Sequence, residues 1–215
     1  MERYEEIAEH VQNGYSEKAR KAVEAALSEG CSPERILKEG LIAGMDVVAA
    51  KFKSGQMFLP EVLAVAGAMK AGMELVKPLL VAAKHQSLGK VVLGTVRGDM
   101  HDIGKNLVAI MLQGAGFDVV DLGTDVRVEK FLEAVEREHP DVVGMSALLT
   151  TTMVHMKTVI EALKQRELRT RVKVIIGGAP ISRNFATEIG ADGYARDAAT
   201  AVDLVKELMN HAQQQ

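Results

Sequence analysis

The spacing of hydrophobic residues changes near residue 86 and divides the chain into two parts. In the first part, apolar residues recur every three or four positions, which is the period of a helix with one buried face. This pattern predicts four helices, at residues 2–12, 16–30, 33–55 and 60–78. We expect Ser16 and Ser32 to cap the second and third helices, and Pro78 to kink or end the fourth. Four such helices make a small bundle.

The second part alternates short apolar runs, rich in β-branched residues, with helical stretches. Strands are predicted at residues 91–96, 117–122, 142–146, 172–176 and 193–195. Helices are predicted at residues 103–113, 128–138, 152–165, 181–189 and 200–209. This alternation indicates an α/β domain whose parallel sheet is covered on both faces. Five strands favour the flavodoxin-like strand order over a six-stranded dinucleotide-binding fold.

The predicted architecture is therefore an N-terminal four-helix bundle followed by a flavodoxin-like, doubly wound sheet of five parallel strands. We place the bundle at residues 1–85, a polar joint at residues 86–90 and the α/β domain at residues 91–215. The three glutamines at the end of the chain are expected to fray.

Composition narrows the possible functions. The 26 Lys and Arg nearly balance the 29 Asp and Glu, which argues against a nucleic-acid surface. One Cys excludes a disulfide framework and a multi-cysteine metal site, and together with 11 Met it fits a reducing cytoplasm. No apolar stretch is long enough for a transmembrane helix, and the acidic start is not a signal peptide. Aromatic residues make up only 4%, so a flat ligand would be held by glycines and aliphatic side chains.

Ligands of such sheets bind beyond the carboxyl ends of the strands, here between the first and third strands. The loop after the first strand holds Asp99, His101 and Gly104. Asp99 can accept the Nδ1–H of a histidine two residues on, which would orient the other ring nitrogen toward a metal. Gly104 leaves room for a ligand. The alternative is that Asp99 and Asp102 cap a helix while His101 is a solvated loop residue.

Two further loops carry candidate binding groups. The loop at residues 146–152 has four hydroxyls where a helix begins, and capping needs only one of them. The others are available to a ligand or to Asp99. After the fourth strand, Gly177-Gly178 allows a close approach of backbone to a ligand, although a glycine pair is also common turn chemistry.

Three signatures occur in order along the α/β part: Asp99-x-His101-x-x-Gly104, Ser146-x-Leu148 and Gly177-Gly178. In this order and at these spacings they resemble the cobalamin-binding motif of corrinoid proteins. Residues 55–62, Gly-Gln-Met-Phe-Leu-Pro-Glu-Val, resemble the start of the last cap helix in the cobalamin-binding region of methionine synthase. The whole chain is similar to the small corrinoid subunits of anaerobic three-component methyltransferase systems.

The resemblance implies roles for individual residues. His101 would replace the dimethylbenzimidazole of cobalamin as the lower axial ligand of cobalt, the base-off, His-on state. Asp99 would hold the other ring nitrogen, and Thr152 would stand where methionine synthase has a serine that completes the relay. Phe58 would help the helical cap to shield the upper face of the cofactor. The other residues assigned to cofactor binding are Met100, Asp102, Ile103, Gly104, Ser146, Leu148, Thr150, Gly177, Gly178 and Ala198.

The implied function is that of a methyl carrier, a subunit of a methyltransferase system without a substrate site of its own. Its cobalamin would cycle between Co(I) and methyl-Co(III). It would take a methyl group from a substrate:corrinoid methyltransferase and pass it to a second methyltransferase, expected to act on tetrahydrofolate. A reductive activase is a further expected partner, whereas nucleic acid and membrane are not. The methyl donor stays open among methylamines, betaines, methanol and aryl ethers. Residues 85–90 would serve as a hinge.

Two other functions and one fold-only interpretation are the alternatives. A cobalamin-sensing regulator would need a DNA-binding module and a basic surface, and residues 1–84 are not basic. A cobalamin-dependent mutase subunit would work with a partner barrel and typically lacks the cap segment. A receiver domain of the same fold without a corrinoid would not explain His101 together with Gly177-Gly178.

Overall fold

The computed structural model describes residues 2–82 and 87–212. The chain divides into two compact units, one comprising residues 1–87 with 113–116 and the other residues 88–112 with 117–215. Residues 83–86, which include part of the predicted joint and hinge, lie outside the described residues, and so do the last three glutamines.

The helical unit follows the predicted bundle, with one departure from regular α-helix. Its elements are α1 (Glu2–Gln12), α2 (Ser16–Ser28), α3 (Pro33–Arg35), a π-helical segment (Ile36–Ile42), α4 (Ala43–Lys53) and α5 (Leu59–Ala82). The α3, π-helical and α4 segments run on from one another and correspond to the third predicted helix. Fully buried residues of this unit include Ile7, Val11, Val23, Ile36, Leu41 and Val48.

The three helix-end predictions have different outcomes. Ser32 accepts a hydrogen bond from the backbone N–H of Arg35 and is followed by Pro33, as predicted. The prediction that Ser16 caps α2 is wrong. The carbonyl of Tyr15 accepts the first helical hydrogen bond, which makes Tyr15 the capping position and Ser16 the first helical residue. Pro78 does not end its helix, since α5 continues to Ala82.

The second unit is the predicted five-stranded parallel sheet. Its strands are β1 (Lys90–Thr95), β2 (Asp118–Asp121), β3 (Val142–Ser146), β4 (Lys173–Gly177) and β5 (Gly193–Ala195). Its helices are α6 (Ile103–Gly114), α7 (Val128–Glu138), α8 (Val154–Gln165), α9 (Arg183–Ile189) and α10 (Ala198–Ala212). The strand order β2-β1-β3-β4-β5 confirms the flavodoxin-like prediction.

The order of the strands also decides where the helices lie. The chain moves one way along the sheet from β1 to β2 and the opposite way from β2 to β3 and onward. Right-handed crossovers therefore place α6 on one face of the sheet and α7 and α8 on the other. The buried cluster on the second face includes Val92, Phe131, Met145, Met156, Ile160 and Ile176.

The reversal of direction places the ends of β1 and β3 side by side. In the register of these two strands Thr95 lies opposite Ser146. The loops that follow them therefore start next to each other at the carboxyl edge of the sheet.

Within the described ranges, no helix combines the length and the hydropathy that a membrane span needs.

Gly178 follows β4 in a conformation that excludes other residues. Its φ is +126°, and a Cβ built on it would overlap the carbonyl oxygen of Ala147 at the end of the neighbouring strand. Gly123 also has a positive φ, +87°, but nothing lies within 4 Å of the position that a Cβ would occupy there.

The replacement Gly178→Ala should therefore lower the free energy of unfolding by roughly 3 kcal/mol, since both the backbone strain and the overlap must be relieved. The matched replacement Gly123→Ala carries the strain alone and should cost about 1 kcal/mol. Urea denaturation of both variants measures the difference. Equal losses would show that the contact with Ala147 does not restrict position 178.

Candidate functional site

The loop after β1 folds around one buried carboxylate. Asp99 has no exposed surface, whereas the side chain of His101 is 50% exposed. Asp99 Oδ1 lies 2.7 Å from His101 Nδ1 and also accepts the backbone N–H of His101 at 3.1 Å. The hydrogen bond predicted from the spacing of the two residues is present. One carboxylate oxygen thus fixes both the backbone and the ring of His101.

The second oxygen of the same carboxylate reaches the loop after β3. Asp99 Oδ2 accepts the hydroxyl of Thr152 at 2.6 Å and the backbone N–H of Leu148 at 2.8 Å. A longer bond of 3.3 Å comes from the N–H of Leu149. Thr152 is buried. The structure therefore brings His101, Asp99 and Thr152 together in the order His–Asp–hydroxyl, across the two adjacent loops.

These contacts control the charge of Asp99. Burial alone would raise the pKa of its carboxyl, but hydrogen bonds from Thr152, Leu148 and His101 outweigh it and hold the pKa well below its ordinary value. Asp99 is therefore ionised at neutral pH and accepts the Nδ1–H of His101. In a neutral imidazole, protonation at Nδ1 leaves a lone pair on Nε2. His101 Nε2 makes no hydrogen bond to any described residue.

Thr95 is a residue of the site that the sequence interpretation missed. It is the last residue of β1 and is fully buried, and its hydroxyl donates to the carbonyl of His101 at 3.0 Å. His101 is thus held at its N–H, its carbonyl and its ring. The only available signal was a threonine that ends a buried apolar strand at the switch point of the sheet.

The hydroxyls of Ser146 and Thr150, which were also predicted to belong to the site, do not hold His101 or Asp99, and their contact with a ligand stays a prediction. Thr150 is exposed and Ser146 is partly buried, and neither side chain makes a hydrogen bond within the described part of the chain. The carbonyl of Ser146 instead accepts the N–H of Val96, which joins the ends of β3 and β1.

Large apolar side chains are exposed on the two loops that carry the site. Met100 and Ile103 flank His101 in sequence, and Leu148 and Leu149 follow β3. Exposed apolar groups gathered at one edge mark a surface that another molecule covers. Three of these four residues were predicted to contact the cofactor, and Leu149 was not.

The three predicted glycines differ in what their missing side chains allow. Nothing lies within 4 Å of a Cβ placed on Gly104, so open space remains next to the loop of His101. A Cβ on Gly177 would lie 2.9 Å from the carbonyl oxygen of Ala195, and one on Gly178 would overlap Ala147. The glycine pair therefore allows the close approach of neighbouring backbone segments of this chain, and its contact with a ligand stays a prediction.

The remaining predicted residues have local roles. Asp102 accepts the side-chain amide of Asn106 at 3.0 Å and so stabilises the first turn of α6. Ala198 is buried at the start of α10. Phe58 belongs to the helical unit, where its ring is 67% exposed and its N–H donates to Glu61. Its proposed shielding role stays a prediction.

The geometry fits a broad, mainly apolar ligand that carries a metal at its centre. A half-exposed imidazole with a free Nε2, oriented by a buried carboxylate, is the arrangement of a single metal ligand held by its neighbour. Exposed aliphatic side chains and the space beside Gly104 belong to the same two loops or to the first turn of α6. Cobalamin, a corrin whose central cobalt can exchange its own base for an imidazole, matches this set of residues.

Comparison with known proteins points the same way. A family model described as a B12 binding domain matches residues 89–203, and a second model with the same description matches residues 3–77. The chain is 47% identical over 204 residues to dimethylamine corrinoid protein 3 of Methanosarcina acetivorans, with 95% of each chain covered. It is 45% identical over 211 residues to trimethylamine corrinoid protein 2 of Methanosarcina mazei, covering 95% of this chain and 97% of that protein.

A solved structure extends the likeness to three dimensions. The crystal structure of the methanol:cobalamin methyltransferase complex MtaBC from Methanosarcina barkeri matches with a TM-score of 0.89 at 33% identity. The match covers 97% of this chain and 80% of that chain. Both parts of the sequence thus match one family. The chain belongs to the B12-binding corrinoid proteins, and its cofactor is cobalamin.

Proposed function

We propose that this chain carries methyl groups between two methyltransferases, with His101 as the lower axial ligand of the cobalt in its cobalamin. The observation that carries the proposal is a half-exposed imidazole whose Nε2 is bonded to no described residue and whose Nδ1 is held at 2.7 Å by the buried carboxylate of Asp99. The named relatives, dimethylamine and trimethylamine corrinoid proteins, support the methyl-carrying role.

When bound, cobalamin supplies a cobalt centre that accepts a methyl group and gives it up again. The residues of this chain would determine how His101 is presented to the cobalt. Asp99 keeps the proton on Nδ1, so that Nε2 presents its lone pair. Thr152 and the N–H of Leu148 keep that carboxylate ionised and in place.

The exposed apolar residues supply the second requirement, which is exclusion of water. Met100 and Ile103 lie on either side of His101 in the chain, and Leu148 follows from the loop after β3. Covered by a corrin, these side chains would surround the coordinating nitrogen with hydrocarbon. A drier environment strengthens the hydrogen bond between His101 and Asp99.

The proposed partners follow from the relatives and from the sequence resemblance. We propose a methylamine:corrinoid methyltransferase as the donor enzyme, because the relatives named above are methylamine corrinoid proteins. The acceptor enzyme would act on tetrahydrofolate or a similar carrier, and a reductive activase would restore oxidised cofactor. The single Cys and 11 Met support placing the protein in a reducing cytoplasm.

Replacing the axial ligand tests the assignment of His101. In protein labelled with nitrogen-15 histidine, loaded with cobalamin and reduced to Co(II), the electron paramagnetic resonance signal should show nitrogen-15 hyperfine splitting. His101→Ala should abolish this splitting, because the cofactor's own base carries nitrogen-14 and cannot replace it. His155→Ala, which changes a histidine of α8 in the same unit, should leave the splitting intact. A spectrum unchanged in His101→Ala would remove this residue as the ligand.

The hydroxyl of the relay can be tested separately. Thr152→Val removes the 2.6 Å hydrogen bond to Asp99, which should raise the pKa of that carboxyl and lower the ratio of His-on to His-off cofactor about tenfold. Thr152→Ser keeps the hydroxyl and should retain most of the ratio. The measurement is the absorption spectrum of loaded protein at neutral pH. Equal ratios in the valine variant and the wild type would exclude Thr152 from the relay.

A methyl-transfer assay tests the choice of partner. Loaded and reduced protein should be methylated when mixed with a methylamine:corrinoid methyltransferase and di- or trimethylamine. A methanol:corrinoid methyltransferase with methanol should give a much lower rate, because this chain is 33% identical to the matched chain of the methanol complex but 45–47% identical to the methylamine relatives. Absorption of the methylated cofactor follows the reaction. Methylation by the methanol enzyme alone would contradict the proposed donor class.

A further inference from the structure

A second set of contacts reaches the loop of His101 from the side of β2. The carboxylate of Asp125 accepts the backbone N–H of Gly98 at 2.7 Å. The backbone N–H of Asp125 in turn donates to the carbonyl of Asp99 at 2.9 Å. These two bonds fasten the beginning of the loop that carries His101 to the chain beyond β2.

Asp125 makes these contacts from an unfavourable backbone conformation. Its φ is +50°, in the left-handed region that non-glycine residues rarely occupy. Aspartate and asparagine tolerate this region better than other side chains, because their short polar groups bond locally. The strain at Asp125 is therefore balanced by the contacts that it makes with Gly98 and Asp99.

The far end of the same loop is held by a buried lysine. Lys105 lies in the first turn of α6 and is only 4% exposed. Its Nζ donates to Asp121 Oδ2 at 2.5 Å and to Asn106 Oδ1 at 2.7 Å. A buried ammonium is costly unless it is paired and hydrogen-bonded, so this side chain is committed to its partners. Asp121 is the last residue of β2.

The lysine contact continues toward His101 through side chains. Asn106, which accepts from Lys105, donates through Nδ2 to Asp102 at 3.0 Å. Asp102 directly follows His101 in the chain. A continuous path of polar contacts therefore connects the end of β2 with the residue next to the imidazole.

The topology explains why these contacts are needed. The strand β2 is an edge strand that pairs only with β1 among the described strands, whereas β3 continues into a loop that binds Asp99. The loop of His101 thus lies between two segments. The loop after β3 binds Asp99, and residues 121–125 after β2 bind the two ends of the His101 loop. Without the contacts from residues 121–125, the loop would be held only by the residues after β3 and by Thr95 at the end of β1.

We propose that the segment 121–125, through Asp125 and the Asp121–Lys105 pair, positions His101 for axial coordination. This inference rests on the proposed function, in which His101 is the axial ligand. Asp121, Asp125 and Lys105 act as positioning residues, because they reach the imidazole only through the backbone and side chains of its loop. Loss of either contact lets the loop move and lowers the population of the ring orientation that reaches cobalt.

The experiment uses matched variants of Asp125. Asp125→Gly permits the positive φ but removes the carboxylate, and it should lower the ratio of His-on to His-off cofactor about tenfold. Asp125→Asn keeps an oxygen that accepts from Gly98 and tolerates the same φ, and it should retain the wild-type ratio. The readouts are absorption and the nitrogen hyperfine splitting of the Co(II) form.

Lys105 is tested against Lys90, a second lysine of the same unit. Lys105→Met should lower the His-on ratio about tenfold. Lys90→Met breaks a contact of 3.4 Å with Glu138 at the opposite end of β1, and it should leave the ratio unchanged. If Lys105→Met does not fold, Asp121→Ala removes the same pair from its more exposed side and is read in the same way.

Hydrogen exchange gives a readout without the cofactor. In unloaded protein, Asp125→Gly should speed exchange at the amide of Gly98, which loses its acceptor, and at the amide of His101. Exchange in α8 should not change, because that helix lies on the β3 side.

The outcomes distinguish failure of the positioning role from failure of the assignment of His101 as the cobalt ligand. If His101→Ala leaves the hyperfine splitting unchanged, the axial assignment fails. If His101→Ala abolishes the splitting but Asp125→Gly, Lys105→Met and Asp121→Ala all keep the wild-type ratio and exchange rates, the positioning role is overturned while the axial assignment stands.

Discussion

The site depends on one buried carboxylate and the donors that surround it. Asp99 is fully buried and accepts hydrogen bonds from His101, Thr152 and the backbone N–H groups of Leu148 and Leu149. An unpaired charge at this depth would be strongly destabilising. With these donors in place the carboxyl pKa is lowered, and the charge instead determines which nitrogen of His101 is available. Its two oxygens also join the loops after β1 and β3.

That carboxylate can act in this way because of the order of the strands. The chain reverses direction along the sheet after β2, and the reversal places the ends of β1 and β3 next to each other. The loop of His101 therefore has neighbours on both sides: Thr152 and Leu148 beyond β3, and Asp125 beyond β2. A mobile loop could not hold an imidazole for coordination. The contacts from the segments after β2 and β3 restrict the movement of the loop on both sides.

The sequence predicts this architecture and part of the site. Alternating strand and helix periods, with five strands, favour the sheet order that the structure has, and a spacing of two residues makes the contact between Asp99 and His101 possible. Contacts between distant segments leave no such signal. Lys105 pairs with Asp121, sixteen residues away, only because β1 and β2 are neighbours. The π-helical segment was missed because its apolar residues also fit a 3.6-residue period, and the Ser16 cap was wrong because the carbonyl of Tyr15 already begins the helix.

The most direct test of the account is the protonation of the His101 ring in the protein without cobalamin. Long-range proton–nitrogen spectra of protein labelled with nitrogen-15 histidine distinguish the two neutral forms of an imidazole. If Asp99 orients this ring as described, the spectra will show the proton on Nδ1 and a free lone pair on Nε2. A ring protonated at Nε2, or equal amounts of the two forms, would contradict the claim that Asp99 prepares His101 for coordination.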